Sequence, residues 1–359
     1  MWNNTRITQL LGIEYPLLLG PMGGGFSTPA FTAAISNAGG LGSYGAYTMT
    51  PEQIIQAGHE IKQLTGKPFN INLWVSDVDE QLAHYPAERI AAVQALFQPY
   101  FDELGVGMPQ LTTNIPSKFE KQAEAILTIQ PAVFSFIFGA PSPAILQECK
   151  RRHIITVGAA TTQEEAVLLE EAGVDAIVAA GFEAGGHRPS FLRPADDSLT
   201  GLLPLVAQLK AVVKVPVIAA GGIGDGKGIA AALTLGADAV QLGTAFLASD
   251  ESAASPLHKA TLQTPAATHT VLSKSLTGRM GRMIHNRIAA EVSYATEVLP
   301  FPLHNRFLAP LKEAAIAQGR TDLVNLWAGQ NTTNIKTGSA ATIMQELIKE
   351  ASVILEKNK

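Results

Sequence analysis

The chain has 359 residues, of which 47% are hydrophobic, and it carries 26 basic and 31 acidic side chains for a formal net charge of −5. This hydrophobic content is ample for a folded core and argues against a chain dominated by disorder. The acidic balance argues against a nucleic-acid partner, because proteins that bind nucleic-acid phosphates normally carry a basic stripe.

The first part of the chain alternates short apolar runs with helix signals. The first three predicted strands are residues 15–19, 41–44 and 69–73. Thr28 before Pro29 and Thr50 before Pro51 predict helix starts, because threonine is favoured at the N-cap and proline in the first turn. From 77 to 121 the order loosens around scattered prolines, and we interpret this stretch as an insertion after strand three.

Regular alternation returns after the insertion. The five further predicted strands are residues 132–136, 154–157, 176–179, 217–220 and 239–242. Residues 171–181 and 234–244 share the order helix end, glycine, Asp-Ala, apolar strand and glycine turn, which indicates repeated βα units. Eight strands alternating with helical segments predict an α/β fold of the TIM (β/α)8 type rather than an open doubly wound sheet.

The domain boundaries follow from a change of pattern after Ser249. Residues 1–249 are predicted to form the barrel. Residues 250–340 contain helical segments broken by prolines, and they predict a smaller, mainly helical cap over the barrel mouth. The remaining residues, 341–359, predict a C-terminal helix.

Targeting signals are absent from the sequence pattern. The start, MWNNTRITQLLGIEYP, lacks the basic-then-apolar order of a secretion signal. No apolar run is long enough to span a bilayer, and the best candidate, residues 132–146, is interrupted by Pro141 and Pro143. The single cysteine, Cys149, rules out an internal disulfide and is compatible with a reducing compartment. We therefore expect a soluble cytoplasmic protein without a membrane partner.

Two glycine-rich turns follow the last two predicted strands. The first is GGIGDG at 221–226 and the second begins with Gly243-Thr244. Glycines let the backbone approach a ligand closely, and the helix after the first turn is expected to offer free N–H groups. Because (β/α)8 barrels commonly hold a phosphate at these turns, the sequence predicts a phosphate site here.

Few acids or bases lie where a barrel enzyme needs them, at the carboxyl ends of the strands. Of eight histidines only His187 qualifies, since it follows strand six and two glycines; a solvated loop histidine is the competing interpretation. No lysine is placed for a Schiff base, and no His, Cys or carboxylate cluster has metal-ligand spacing. The remaining polar groups are backbone amides and the side chains of Asn72 and Gln241, which indicates that a cofactor carries the reaction.

Short motifs along nearly the whole chain resemble one enzyme family. They are PMGGG at 21–25, PFNINLW at 68–74, VFSFIFG at 133–139, EAGGH at 183–187, AAGGIGDG at 219–226, QLGTAFLASDES at 241–252, LTGRMGR at 276–282 and LWAGQ at 326–330. Together they resemble the FMN-dependent nitronate monooxygenases, formerly called 2-nitropropane dioxygenases. The resemblance implies an FMN barrel that uses O2 to oxidise alkyl nitronates to a carbonyl compound and nitrite. Neutral nitroalkanes are further candidate substrates, which must first lose the α-proton.

The resemblance also implies roles for individual residues. Pro21, Met22 and Gly23 would line the flavin ring, and Asn72 would form a hydrogen bond with the cofactor. The other implied FMN-binding residues, with the phosphate at Gly222 and Gly243-Thr244, are Gly185, Gly186, Gly222, Gly224, Gln241, Leu242, Gly243 and Thr244. His187 resembles the family's base, which takes the α-proton from a neutral nitroalkane and would have a pKa near the working pH.

One position departs from the family pattern. Ala180 stands where the family usually has a glutamine, so a flavin contact is lost or replaced and the substrate stays open. Two alternatives also stay open: an NAD(P)H-dependent flavin reductase on the same barrel, of the enoyl-acyl-carrier-protein reductase or quinone reductase type, and a non-catalytic barrel that binds FMN or a phosphorylated metabolite. A homodimer is compatible with the sequence.

Overall fold

The protein is described by a computed structural model over residues 1–292 and 296–357. The strands in these residues are β1 Leu17–Leu19, β2 Gly42–Gly45, β3 Phe69–Trp74, β4 Val133–Ile137, β5 Ile155–Ala160, β6 Ala176–Ala180, β7 Gly186–His187, β8 Val217–Ala220, β9 Ala239–Leu242, β10 Thr270–Ser273 and β11 Gly281–Ile284. Eight of them pair in the order β1-β9-β8-β6-β5-β4-β3-β2, all in parallel. A parallel bridge between Leu18 and Leu41 closes the ring, which confirms the predicted TIM barrel.

Helices surround the barrel and build the region above it. They are α1 Arg6–Leu11, α2 Pro29–Asn37, α3 Pro51–Leu64, α4 Ala87–Leu104, α5 Phe119–Ile129, α6 Pro143–Arg151, α7 Gln163–Glu171, α8 Leu202–Val212, α9 Gly226–Thr234, α10 Thr244–Leu247, α11 Pro256–Leu262, α12 Arg287–Glu291, α13 Leu303–Phe307, α14 Ala309–Ala317 and α15 Ala340–Lys357. The predicted N-caps are confirmed, since the hydroxyls of Thr28 and Thr50 accept from the backbone at Phe31 and Gln53. Within the described residues, no helix is long and apolar enough to cross a membrane.

The barrel strands bury both of their faces. Leu18 packs in the cluster inside the barrel, whereas Leu17 and Leu19 pack in the layer between strands and helices. This alternation follows from the pleat, which sends successive side chains to opposite faces. The helix α1 adds Ile7 and Leu11 to the interior cluster, so side chains fill the barrel.

The last helix belongs to the barrel. The side chains of Ile343, Met344 and Leu347 on α15 are buried in the layer between strands and helices, where α15 lies against α9 and α2. Because α2 follows β1 and α9 follows β8, α15 takes the place of the eighth barrel helix. The region between α10 and α15 is therefore a long insertion ahead of this helix.

The insertion after β3 packs with this second insertion in one core. Phe97 and Phe101 of α4 lie with their ring centroids 5.9 Å and 5.3 Å from that of Phe307 in α13. Asp79 accepts from the Arg279 Nε at 2.7 Å, which joins the two segments again. The cap is thus built from two distant parts of the sequence.

The cap also contains a β-hairpin, which the sequence pattern did not predict. Strands β10 and β11 pair in antiparallel, and β11 pairs with β7 through Gly281 opposite His187 and Arg282 opposite Gly186. The Gly281 position leaves no room for a Cβ, because a Trp327 ring carbon lies 2.7 Å from where it would be. This small sheet holds the segment after β6 against the cap.

Candidate active site

A cavity of about 800 Å³ lies between the carboxyl ends of the barrel strands and the cap. Every predicted site residue except Gly224 and Leu242 lines it. Leu242 is fully buried in the layer between strands and helices. A Cβ on Gly224 would lie 3.1 Å from the side-chain nitrogen of Asn331, and Asn331 does line the cavity. The cofactor contacts assigned to these two residues stay predictions.

The two glycine turns lie side by side, because Ala220 and Gln241 are paired at the ends of β8 and β9. Gly222 has a φ of 66°, in the left-handed region that favours glycine. At Gly243 an added Cβ would meet nothing within 4 Å. The turns therefore border open space in the cavity.

The expectation of free N–H groups at the start of α9 is wrong for two of its amides. The Asp225 side chain accepts from Gly228 N at 2.8 Å, and the Glu350 carboxylate of α15 accepts from Gly226 N at 2.8 Å. Both bonds are the usual means of satisfying a helix start. The backbone of the two glycine turns is therefore a better candidate for binding an anion than these two amides at the start of α9.

His187 lies at the junction of the barrel and the cap. Its ring contacts those of Trp74 and Trp327, with centroids 5.1 Å and 4.9 Å away. Its Nε2 lies 2.9 Å from the Thr277 hydroxyl, which donates to the carbonyl of Arg279 at 3.0 Å. Because the Thr277 hydroxyl donates its only proton to the Arg279 carbonyl, it accepts a hydrogen bond from Nε2–H of His187. The lone pair of the imidazole is therefore on Nδ1.

The surroundings of His187 disfavour its protonated form. Burial, together with the positive charges of Arg279 and Lys312, lowers its pKa to about 3. This corrects the expectation of a pKa near the working pH. The imidazole is neutral at neutral pH, and it is a weak base until a negative charge approaches it.

The side-chain amide of Asn72 is oriented by a hydrogen bond with a neighbouring polar side chain of the barrel strands. Its nitrogen donates to the Ser135 hydroxyl at 2.9 Å, and Asn70 Nδ2 donates to the same hydroxyl at 2.8 Å. Asn72 lines the cavity with Gln241. Each of the two amides brings an acceptor oxygen and N–H donors to the cavity wall.

Arg188 stabilises the end of the strand that carries Ala180. Its Nη1 donates to the carbonyls of Ala180 at 2.9 Å and Gly181 at 2.6 Å, and its Nη2 donates to Ser198 O at 2.7 Å. The residue is 2% exposed, and burial lowers its pKa to about 10. The Arg188 guanidinium therefore binds backbone carbonyls, and we do not assign it a role in substrate binding.

A family model described as nitronate monooxygenase matches residues 4–350. The chain belongs to the nitronate monooxygenase family. A probable nitronate monooxygenase of Staphylococcus aureus (strain Newman) is 37% identical over 358 residues, which cover 99% of both chains. Among solved structures, a nitroalkane oxidase from Streptomyces ansochromogenes matches with a TM-score of 0.89 at 32% identity, over 98% of this chain and 99% of that one. FabK from Thermotoga maritima matches with a TM-score of 0.75 at 28% identity, over 99% and 98% of the two chains.

These matches confirm the resemblance drawn from the motifs and identify an oxidoreductase. In this member of the family, the cavity is also lined by residues to which sequence reasoning gave no role: Tyr47, Trp74, Thr277, Asn305, Lys312 and Trp327. Trp74, Thr277 and Trp327 lie within the motifs PFNINLW, LTGRMGR and LWAGQ, so the family resemblance could have pointed to them as site residues. Lys312 had no such signal, because a lysine on an amphipathic cap helix has the pattern of a solvated surface residue.

Proposed function

We propose that this member of the family oxidises alkyl nitronates, with FMN bound in the cavity and O2 as the oxidant, to a carbonyl compound and nitrite. The observation that carries the proposal is the composition of the cavity wall. It contains glycine turns, neutral side-chain amides, aromatic rings, two neutral histidines and one lysine, and within the described residues no carboxylate lines it. Such a wall favours negatively charged ligands, as both a nitronate and the FMN phosphate are.

The residues present fit FMN. The cavity volume of about 800 Å³ is in the range of roughly 300–1,000 Å³ that accommodates ligands of this size. Gly222, Gly243 and Thr244 would hold the phosphate, Pro21 to Gly23 would lie along the ring, and Asn72 would bind its polar edge. When bound, FMN would supply the redox chemistry by accepting electrons from the substrate carbon and passing them to oxygen.

The protein groups favour a substrate that has already lost its α-proton. His187 is neutral, with its lone pair on Nδ1, and its lowered pKa of about 3 makes proton abstraction from a neutral nitroalkane costly. A nitronate does not require that step, and its negative charge is compatible with the nearby Lys312 and Arg279. We therefore infer that nitronates are better substrates than the nitroalkanes from which they form.

The test is nitrite release in air from matched nitronates and nitroalkanes with a His187→Asn variant. We expect rates with neutral nitroalkanes to fall roughly 10²- to 10⁴-fold, the usual contribution of a general base, and rates with nitronates to fall far less. His59→Asn, on the exposed side of α3, is the matched control. Equal losses on both substrates would rule out the base role of His187.

A flavin reductase on the same barrel is tested in the same preparation. Anaerobic addition of NADH should leave the flavin absorbance of a nitronate monooxygenase largely unchanged over the time of turnover. Rapid bleaching by NADH, together with no nitrite from any nitronate, would replace the proposal with the reductase. A flavin-containing protein that does neither would indicate a non-catalytic barrel.

A further inference from the structure

Lys312 of α14 is the one formally charged side chain that lines the cavity, counted over residues 1–292 and 296–357. The two histidines of the lining, His187 and His258, are both held neutral by burial, which lowers the pKa of His258 to about 4. The positive charge of Lys312 is therefore the main electrostatic feature that a small ligand meets on the cap side.

Among the residues that the structure describes, the ammonium group of Lys312 has only neutral hydrogen-bond acceptors. Its Nζ donates to Asn305 Oδ1 at 2.6 Å and, at 3.5 Å, to the carbonyl of Leu276. An ammonium has three N–H donors, so a third remains for a ligand. Holding a charge in a cavity without a counter-ion is costly, and burial lowers the pKa of Lys312 to about 8 against the opposing charge of Glu313.

Asn305 adds a second donor beside this charge. It lines the same cavity, and its Oδ1 accepts from Lys312, so the amide nitrogen is the donor end of the side chain. That NH2 group has no partner among the described residues and can donate to a ligand. An ammonium next to an amide N–H matches a group with two oxygens that share one negative charge. Such groups include a carboxylate and the nitro end of a nitronate.

The pair lies close to the reacting centre. Leu276, whose carbonyl accepts from Lys312, precedes Thr277, and Thr277 contacts His187 at 2.9 Å. Lys312 is also near enough to His187 to help lower the pKa of the imidazole. A ligand that touches His187 would therefore have the ammonium within reach of its charged end.

We propose that Lys312 and Asn305 form an oxyanion-binding subsite on the cap side of the cavity, which fixes a two-oxygen anionic group of the substrate. The identity of the substrate rests on the function proposed above, whereas the binding of an oxyanion does not. The anionic group is either the nitronate itself or a carboxylate elsewhere on the substrate. Two substrates distinguish these sources.

The kinetic arm compares ethyl nitronate, which has one anionic group, with propionate 3-nitronate, which has a carboxylate in addition. Lys312→Met should raise KM roughly 10- to 100-fold, the effect of losing a hydrogen bond to a charged group, with a smaller change in kcat. A rise for both substrates assigns the nitronate group to the subsite, and a rise for propionate 3-nitronate alone assigns the carboxylate. Unchanged KM values for both substrates overturn the proposal.

The controls separate charge from packing. Lys312→Arg keeps the charge and should retain most of the affinity, and Lys349→Met removes an exposed lysine from α15 with the same change of net charge. Asn305→Ala tests the second donor and should weaken binding in the same direction as Lys312→Met. If Lys312→Met does not fold, Asn305→Ala provides the test, because an unchanged KM in Asn305→Ala overturns the subsite.

A binding measurement keeps the proposal separate from catalysis. Calorimetric titration of the flavin-loaded protein with succinate and with nitrite should show binding of at least one anion to the wild type and to Lys349→Met, and a loss of binding in Lys312→Met. Absence of binding in the wild type, or equal binding in the Lys312→Met variant, overturns the subsite. A protein that binds the anions through Lys312 but releases no nitrite from nitronates would retain the subsite and refute the proposed function.

Discussion

Two glycines that line the same cavity have different surroundings. A Cβ at Gly185 would lie 2.6 Å from the backbone nitrogen of Gly329 and 2.7 Å from the carbonyl carbon of Ala328. At Gly243 a Cβ would meet nothing within 4 Å, and the φ of −108° suits any residue. Gly185 is thus required by the protein backbone, whereas the reason for a glycine at Gly243 has to come from a ligand.

We therefore expect Gly243→Ala to separate folding from cofactor binding. When both proteins are free of flavin, the variant and the wild type should have the same melting temperature, because the added methyl group has room. It should bind FMN roughly 10- to 100-fold more weakly, because the methyl group displaces the phosphate from the turn. Flavin dissociation followed by fluorescence measures this, with Gly185→Ala as a contrast that should lower the melting temperature itself. Unaltered FMN affinity in Gly243→Ala would remove this turn from the site.

Asp79, in the insertion after β3, forms two polar contacts with the cap. Its carboxylate binds Arg279 through Oδ1 at 2.7 Å and accepts from Phe301 N through Oδ2 at 2.9 Å. The Arg279 guanidinium lies over the rings of Phe138 and Phe301, 4.3 Å and 4.7 Å from their centroids, and its Nη1 has no partner among the described residues. Three separate parts of the chain meet here, close to His187.

Asp79→Asn should loosen this junction. The change leaves the Arg279 charge, whose side chain is 12% exposed, without a carboxylate partner. Breaking a fully buried pair costs about 3–5 kcal/mol, and we expect on the order of 2 kcal/mol here because the Asp79 side chain is 27% exposed. Urea unfolding measures the difference, with Glu164→Gln in the exposed pair with Arg193 as a control that should change stability little. Equal effects of the two changes would mean that the junction contributes no special stability.

The barrel elements could be predicted from the sequence because each leaves a local signal. Buried parallel strands are short apolar runs, and Thr28 and Thr50 mark helix starts through side chains next to them in the chain. The pairing of β7 with β11 leaves no such signal, since β7 is only Gly186–His187 and its partner lies about a hundred residues away. Most residues of the cavity floor were predicted, because they lie in glycine turns and motifs that are visible in the sequence. Lys312 was missed, because tertiary packing decides which face of a cap helix meets the cavity.

At the scale of the whole molecule, two buried histidines join the cap elements to each other. His258 of α11 contacts the carbonyl of Trp327 through Nε2 at 2.9 Å, and His304 of α13 contacts the carbonyl of Ser275 at 2.8 Å. They are 2% and 0% exposed, and Nδ1 of His304 has no partner among the described residues. A second proton on His304 would therefore create a buried, unpaired N–H in addition to a buried charge.

This arrangement predicts a loss of stability in mild acid. Burial lowers the pKa of both histidines to about 4, below the ordinary value of 6.5, so the unfolded chain binds more protons between these limits. Their contribution is fully present above pH 6.5 and is lost as the pH falls towards 4, by about 1.5 kcal/mol for each histidine between pH 6.5 and 5. His258→Gln and His304→Gln place an amide N–H that does not titrate near the same carbonyls. Urea unfolding at pH 7 and pH 5 should therefore show a smaller decrease for the double variant than for the wild type, and an equal decrease would assign the acid sensitivity to groups other than these two histidines.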